Sequence, residues 1–108
     1  MSENSDKSKI TIARGNIYIS LEVYEKYLRN IEAVALLPHE KGILLFPLIQ
    51  SSAGGLLLKI KNLKGDRVIH AQEFFRSNNY PEMFDETLCD VVWESEKHAL
   101  LIHYWTAN

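Results

Sequence analysis

The sequence predicts an α+β fold, mainly β, made of an internally duplicated unit with two short helices. Short β-prone segments such as Lys9–Ala13, Ile17–Ile19 and Leu88–Glu94 are bounded by turn residues. Only Ser20–Ile31 and Ala71–Ser77 read as helical. The run Arg14–Pro47, a strand, a short helix and a hairpin, returns in weaker form between Asp66 and Tyr104.

Two alignments carry the repeat. NIYISLEVY lies over RVIHAQEFF, with Ile17 on Val68, Tyr18 on Ile69, Glu22 on Glu73 and Tyr24 on Phe75. EKGILLFP lies over EKHALLIH, with Glu40, Lys41, Leu44 and Leu45 on Glu96, Lys97, Leu100 and Leu101. The irregular stretch Asn78–Thr87 takes up the difference in length, because loops absorb insertions at small entropic cost. Two apolar, β-prone segments can also match by chance. The organisation expected is a disordered polar lead over 1–8, a first copy over 9–50, a linker over 51–55, and a second copy over 56–108 packed with the first as one domain.

In chain order, Lys9–Ala13 alternates Ile10 and Ile12 with polar neighbours, and Arg14-Gly15-Asn16 reverses the chain into Ile17–Ile19. Ser20 is placed to cap a helix whose apolar stripe is Val23, Tyr24, Tyr27, Leu28 and Ile31. Ala33–Leu37 and Ile43–Pro47 form a hairpin around Pro38–Gly42, and their near-continuous apolarity predicts burial on both faces or an oligomer contact. In the second copy, Leu56–Lys61 is a strand, Asn62–Asp66 a turn, Arg67–His70 a strand and Ala71–Ser77 a helix burying Phe74 and Phe75. Pro81 ends that helix region, and Glu82–Thr87 has room for one helical turn. Leu88–Glu94 and His98–Trp105 make the last hairpin.

A chain of 108 residues with 46% hydrophobic and 24% charged residues is long enough and apolar enough for a real core. No apolar run reaches the roughly 18 residues of a membrane span, and the N-terminus lacks the apolar stretch of a signal peptide, so a cytoplasmic location is expected. The single cysteine, Cys89, excludes an intrachain disulfide and a cysteine-based zinc cage; its strand places it beside Val91 and Trp93 as a buried, inert thiol. Net charge is −2, and Glu82–Glu96 holds six acids and no base, a segment that repels duplex phosphates.

The order strand, turn, strand, capped helix, apolar hairpin resembles the swapped-hairpin barrel of the AbrB and MraZ families. GNIYISLEV supplies Gly15, Ile17, Ile19 and Glu22 of that pattern, and DRVIHAQEF supplies Arg67, Val68, Ile69 and Glu73. Departures are Asn16 at the family's arginine, Ser20 and Ala71 at its proline, and Tyr24 and Phe75 at its helical arginine. The resemblance implies interlocked halves, homo-oligomers and, as an activity, DNA binding through basic residues of the opening hairpin. Arg67 matches the family's arginine, and Arg14, Lys26 and Arg29 are the nearby cations. Separately, YISLEVYEKY with GDRVIHAQEFFR resembles small accessory proteins encoded alongside nickel–iron hydrogenases.

Catalytic motifs are scarce. The sequence holds no P-loop, dinucleotide glycine fingerprint, nucleophile elbow or paired-histidine zinc motif. Ser51–Gly55 reads as a linker rather than a phosphate nest, since no Gly-Lys-Ser follows it. His70, Glu73 and His98 could form a small metal site, although a capping or surface histidine is the commoner role. The function expected is a non-catalytic accessory or interaction module with no cofactor. It would self-associate and dock on a protein partner, such as a metalloenzyme of the hydrogenase kind, through Leu45 and Phe46. The alternative is an AbrB/MraZ-like DNA-binding regulator using Lys9, Arg14 and Arg67, with an enzyme built on the metal triad third.

Overall fold

Alternation decides the first strands of the computed structural model, which describes residues 8–49, 54–81 and 85–104. In β1 (Lys9–Ala13) and β2 (Asn16–Ile19), Ile10, Ile12, Ile17 and Ile19 all point into the core, while Thr11 and Tyr18 pair on the opposite face. Arg14 and Gly15 form the turn, at φ 54° and 77°, so Asn16 belongs to β2 rather than to the reversal. Helix α1 (Leu21–Tyr27) starts where Ser20 leaves extended geometry, and the Ser20 hydroxyl accepts from the Val23 N–H at 3.2 Å. A second acceptor arrives from far along the chain, with Asp66 Oδ1 2.8 Å from the Leu21 nitrogen. The helix ends at Tyr27, so Ile31 of the expected stripe lies beyond it.

The apolar hairpin is longer than its sequence suggests. Strands β3 (Ala33–His39) and β4 (Gly42–Leu48) pair to His39↔Gly42, leaving Glu40-Lys41 as the turn and Pro38 within a strand. Gly42 is required there: its φ is 150°, and a Cβ would lie 2.0 Å from the Ile102 carbonyl oxygen. Burial on both faces holds for Gly42–Leu45 but not for the outer half of β3, where Leu37 is exposed.

The expected strand Leu56–Lys61 is instead two short pieces, β5 (Leu56–Leu57) on β3 and β6 (Lys59–Ile60) on β7 (Arg67–His70). Leu58 is the break, because one segment must pair with strands on either side of it; its N–H goes to the Glu32 carbonyl and its side chain to the core. Helix α2 (Gln72–Ser77) buries Phe75, leaving Phe74 partly covered. No helix forms at Asp85-Glu86, Thr87 of that expected turn opens β8, and residues 82–84, most of the polar lead, residues 51–53 and Trp105 lie outside the described residues. Strands β8 (Thr87–Glu94) and β9 (Ala99–His103) close the order; His98 is not in β9 but in the preceding turn, at φ 53°.

The nine strands among the described residues form one sheet in the order β5-β3-β4-β9-β8-β1-β2-β7-β6. Since β5 and β6 are joined through Leu58, the sheet curls into a nearly closed barrel. Its interior is aliphatic, with Ile17, Ile43, Leu45, Ile69, Leu100 and Ile102 all fully buried. Phe75 packs on Tyr80 and Tyr104 at 5.6 and 5.5 Å between ring centroids, and the Tyr80 hydroxyl donates to the Gly42 carbonyl at 2.6 Å. No helix among the described residues is long and apolar enough to cross a membrane.

Candidate functional site

Outside the barrel, the pairing of β3, β4, β9 and β8 lines up one apolar row. Leu37 opposes Leu44, Leu44 opposes Leu101, and Leu101 opposes Val92. The middle of the row is covered, with Leu44 at 7% and Leu101 at 4% exposure, while its ends, Leu37 at 51% and Val92 at 47%, are open. Leu44, Ala99 and Leu101 form a cluster separate from the barrel interior, and Phe46 packs against it. Further along the same side of β8, Leu88 is also exposed. Large apolar side chains in one row on a sheet surface are characteristic of contact with another protein.

The two expected anchors separate on this hairpin. Phe46 is half-buried on the outer face, beside the row. Leu45 points inward, fully buried between Leu36 and Leu100, and is a core residue rather than a surface anchor. A strand sends successive side chains to opposite faces, and in a run as apolar as ILLFP nothing in the sequence marks which face is which. The outward residues are Leu44 and Phe46.

The three cations considered for DNA do not converge. Lys9 opens β1 and is ion-paired with Asp90 of β8. Arg14 stands past the other end of the same strand, in the turn. Arg67 lies over the Tyr24 ring, 3.9 Å from its centroid, and donates to the Gly65 carbonyl. Nor do the metal candidates meet. His70 has its Nδ1 3.1 Å from Asn16 Oδ1, Glu73 is in the first turn of α2, and His98 sits in the β8–β9 turn. No group of three metal-ligating side chains occurs among the described residues.

Cys89 is 2% exposed, its thiol 3.6 Å from the Thr87 carbonyl. Burial, reinforced by the Asp90 charge, pushes it up to about 11, so it is a protonated thiol at neutral pH rather than a ready nucleophile. Sequence reasoning missed Lys61 and Tyr18, which come together with Arg14 around a groove on the other side of the barrel. Their spacing in the chain carries no signal, because Lys61 reaches Tyr18 only through the pairing of β2, β7 and β6.

Compared with protein-family models, curated proteins and solved structures, the chain finds no match.

Proposed function

We propose that this chain is a non-catalytic interaction module that associates with itself and docks on a protein partner through the outer face of β3, β4, β9 and β8. The row Leu37–Leu44–Leu101–Val92 carries the reading. Leu37 and Val92, the open ends of the row, are about half exposed, and a partner surface covering them would recover part of the roughly 1.5–3 kcal/mol that full burial of a large apolar side chain is worth.

We further infer that the barrel is two copies of one unit with interleaved hairpins, the arrangement of the AbrB and MraZ families. Support comes from the pairing registers. If Leu37↔Leu44 is laid on Val92↔Leu101, then Leu36↔Leu45 falls on Val91↔Ile102. Likewise Val34↔Leu56 falls on Cys89↔Ile10, and Ala13↔Asn16 on Lys59↔Val68. An approximate two-fold axis then passes through the opposed pairs Ile17↔Ile69 and Leu44↔Leu101. Only directly opposed residues share a face, so the best match differs by one residue from the sequence alignment, which laid Ile17 on Val68 and Leu44 on Leu100.

This symmetry bears on function. Leu37 answers Val92 and Leu44 answers Leu101, so the patch is nearly two-fold within one chain and suits an isologous contact with a second copy. The likeness of YISLEVYEKY and GDRVIHAQEFFR to hydrogenase accessory proteins makes a metalloenzyme the heterologous partner to try first.

Hydrogen exchange at high and low protein concentration tests the reading: β3, β4, β8 and β9 should gain protection at high concentration while β1, β2 and β7 do not. Anisotropy against random duplex DNA addresses the regulator alternative. No saturation at low salt is expected, and saturable binding that weakens steeply with salt would favour the regulator.

A further inference from the structure

On the opposite side of the barrel, a groove of about 400 Å³ runs over β1 and β2. Thr11 and Ala13 of β1 line it with short side chains. Asn16 and Tyr18 line it from β2, on one side of β1, and Glu86, the residue before β8, lines it from the other. Arg14 and Lys61 bring two positive charges to it. No ion pair within the described residues occupies Arg14, Lys61 or Glu86.

Arg14 is held there by backbone strain and by clamping. It sits at φ 54°, in a two-residue turn whose first position ordinarily takes Asn, Asp or Gly. The turn is fastened to α2 from both sides: the Ala71 N–H donates to the Gly15 carbonyl at 2.9 Å, and the Gln72 side-chain amide donates to the Arg14 carbonyl at 3.2 Å. Gly15 permits that approach, since a Cβ there would lie 2.9 Å from Gln72 Cα. An arginine kept where asparagine would be less strained, on a turn fixed at its backbone, leaves the chain at a set point on the rim of the groove. Lys61 is positioned separately, its backbone N–H bonded to the Asp66 carbonyl at 2.7 Å and its ammonium 4.7 Å from the centre of the Tyr18 ring.

From this geometry we infer that the groove is a binding site for a small molecule bearing an oxyanion, phosphate or carboxylate. Arg14 and Lys61 take the oxyanion, and Thr11, Asn16 and Tyr18 offer hydrogen bonds along the body of the ligand. The volume falls within the range of small-molecule sites. Glu86, on the β8 side, repels a second anion and accepts from an amine or hydroxyl, so the natural ligand carries its negative charge at one end and a donor at the other.

Inorganic pyrophosphate and citrate are suitable probes, titrated into isotope-labelled full-length protein at low salt and followed by amide NMR. The expected result is saturable shifts confined to Thr11–Tyr18, Lys61 and Glu86. Arg14→Gln and Lys61→Gln should each weaken binding roughly tenfold. Glu86→Gln should tighten it, and Lys97→Gln, on the far hairpin turn, should leave it unchanged. Phosphate chemistry is distinguished from carboxylate chemistry by which probe binds more tightly. Shifts that never saturate, or affinities indifferent to Arg14 and Lys61, would overturn the site. So would binding of duplex DNA with neither small anion bound, which would make the groove part of a nucleic-acid surface.

Discussion

The two outer rows of the barrel are built by the same pairing rules and differ in what fills their middles, leucine pairs in one and Thr11 and Tyr18 in the other. Around β4 and β9 the row reads Leu37, Leu44, Leu101, Val92; around β1 and β2 it reads Leu88, Thr11, Tyr18, Val68, Lys59. The inward rows barely differ, with Ile43, Leu45, Leu100 and Ile102 beneath the first and Ile10, Ile12, Ile17 and Ile69 beneath the second. The core therefore specifies a barrel and is silent on its use. The specific information lies on the outside, where one face carries an apolar row and the other surrounds a charged groove.

The sharpest contrast is between neighbouring leucines on either side of the sheet. Leu45→Ala should cost about 2–5 kcal/mol in urea unfolding, since it opens a cavity in the aliphatic interior. Leu37→Ala, at an exposed position, should stay within about 0.5 kcal/mol. Similar losses for the two would mean that the inward and outward faces have been assigned the wrong way round.

A smaller effect concerns how the polar side is tied together. Ser20→Ala removes the hydroxyl cap of α1 and should cost about 1 kcal/mol by the same measurement. Asp66 supports the same helix end. The side-chain hydrogen bond from Asn62, followed by the Leu21 N–H, holds its carboxyl below the usual carboxylate range. A carboxylate with a lowered folded value stabilises fully above its unfolded value of about 3.9, and that contribution is lost as pH falls through the folded value. Asp66→Asn should therefore flatten the acid limb of the stability profile, with little effect on the apolar face.

How much of this was legible follows from local pattern. The opening hairpin, the Ser20 cap and the burial of Cys89 were readable because each depends on alternation or on a residue at a helix start. The orientation of Leu45 was not, because an uninterrupted apolar run carries no alternation. The split at Leu58 was hidden for a different reason: one segment serves two strands that are distant in sequence, and only the closure of the sheet reveals it. The groove combined both problems. Arg14 is plain in the sequence as a charge, but its meeting with Lys61 and Tyr18 depends on long-range pairing.

Sedimentation velocity over a wide concentration range, on the wild type and on the double variant Leu37→Asp/Val92→Asp, tests the central claim most directly. Both replaced residues are half-exposed, so the variant should keep its circular dichroism and melting temperature. The account predicts a wild type that self-associates with concentration and a variant that stays monomeric. A wild type that is monomeric throughout, or a folded variant that assembles as the wild type does, would contradict it.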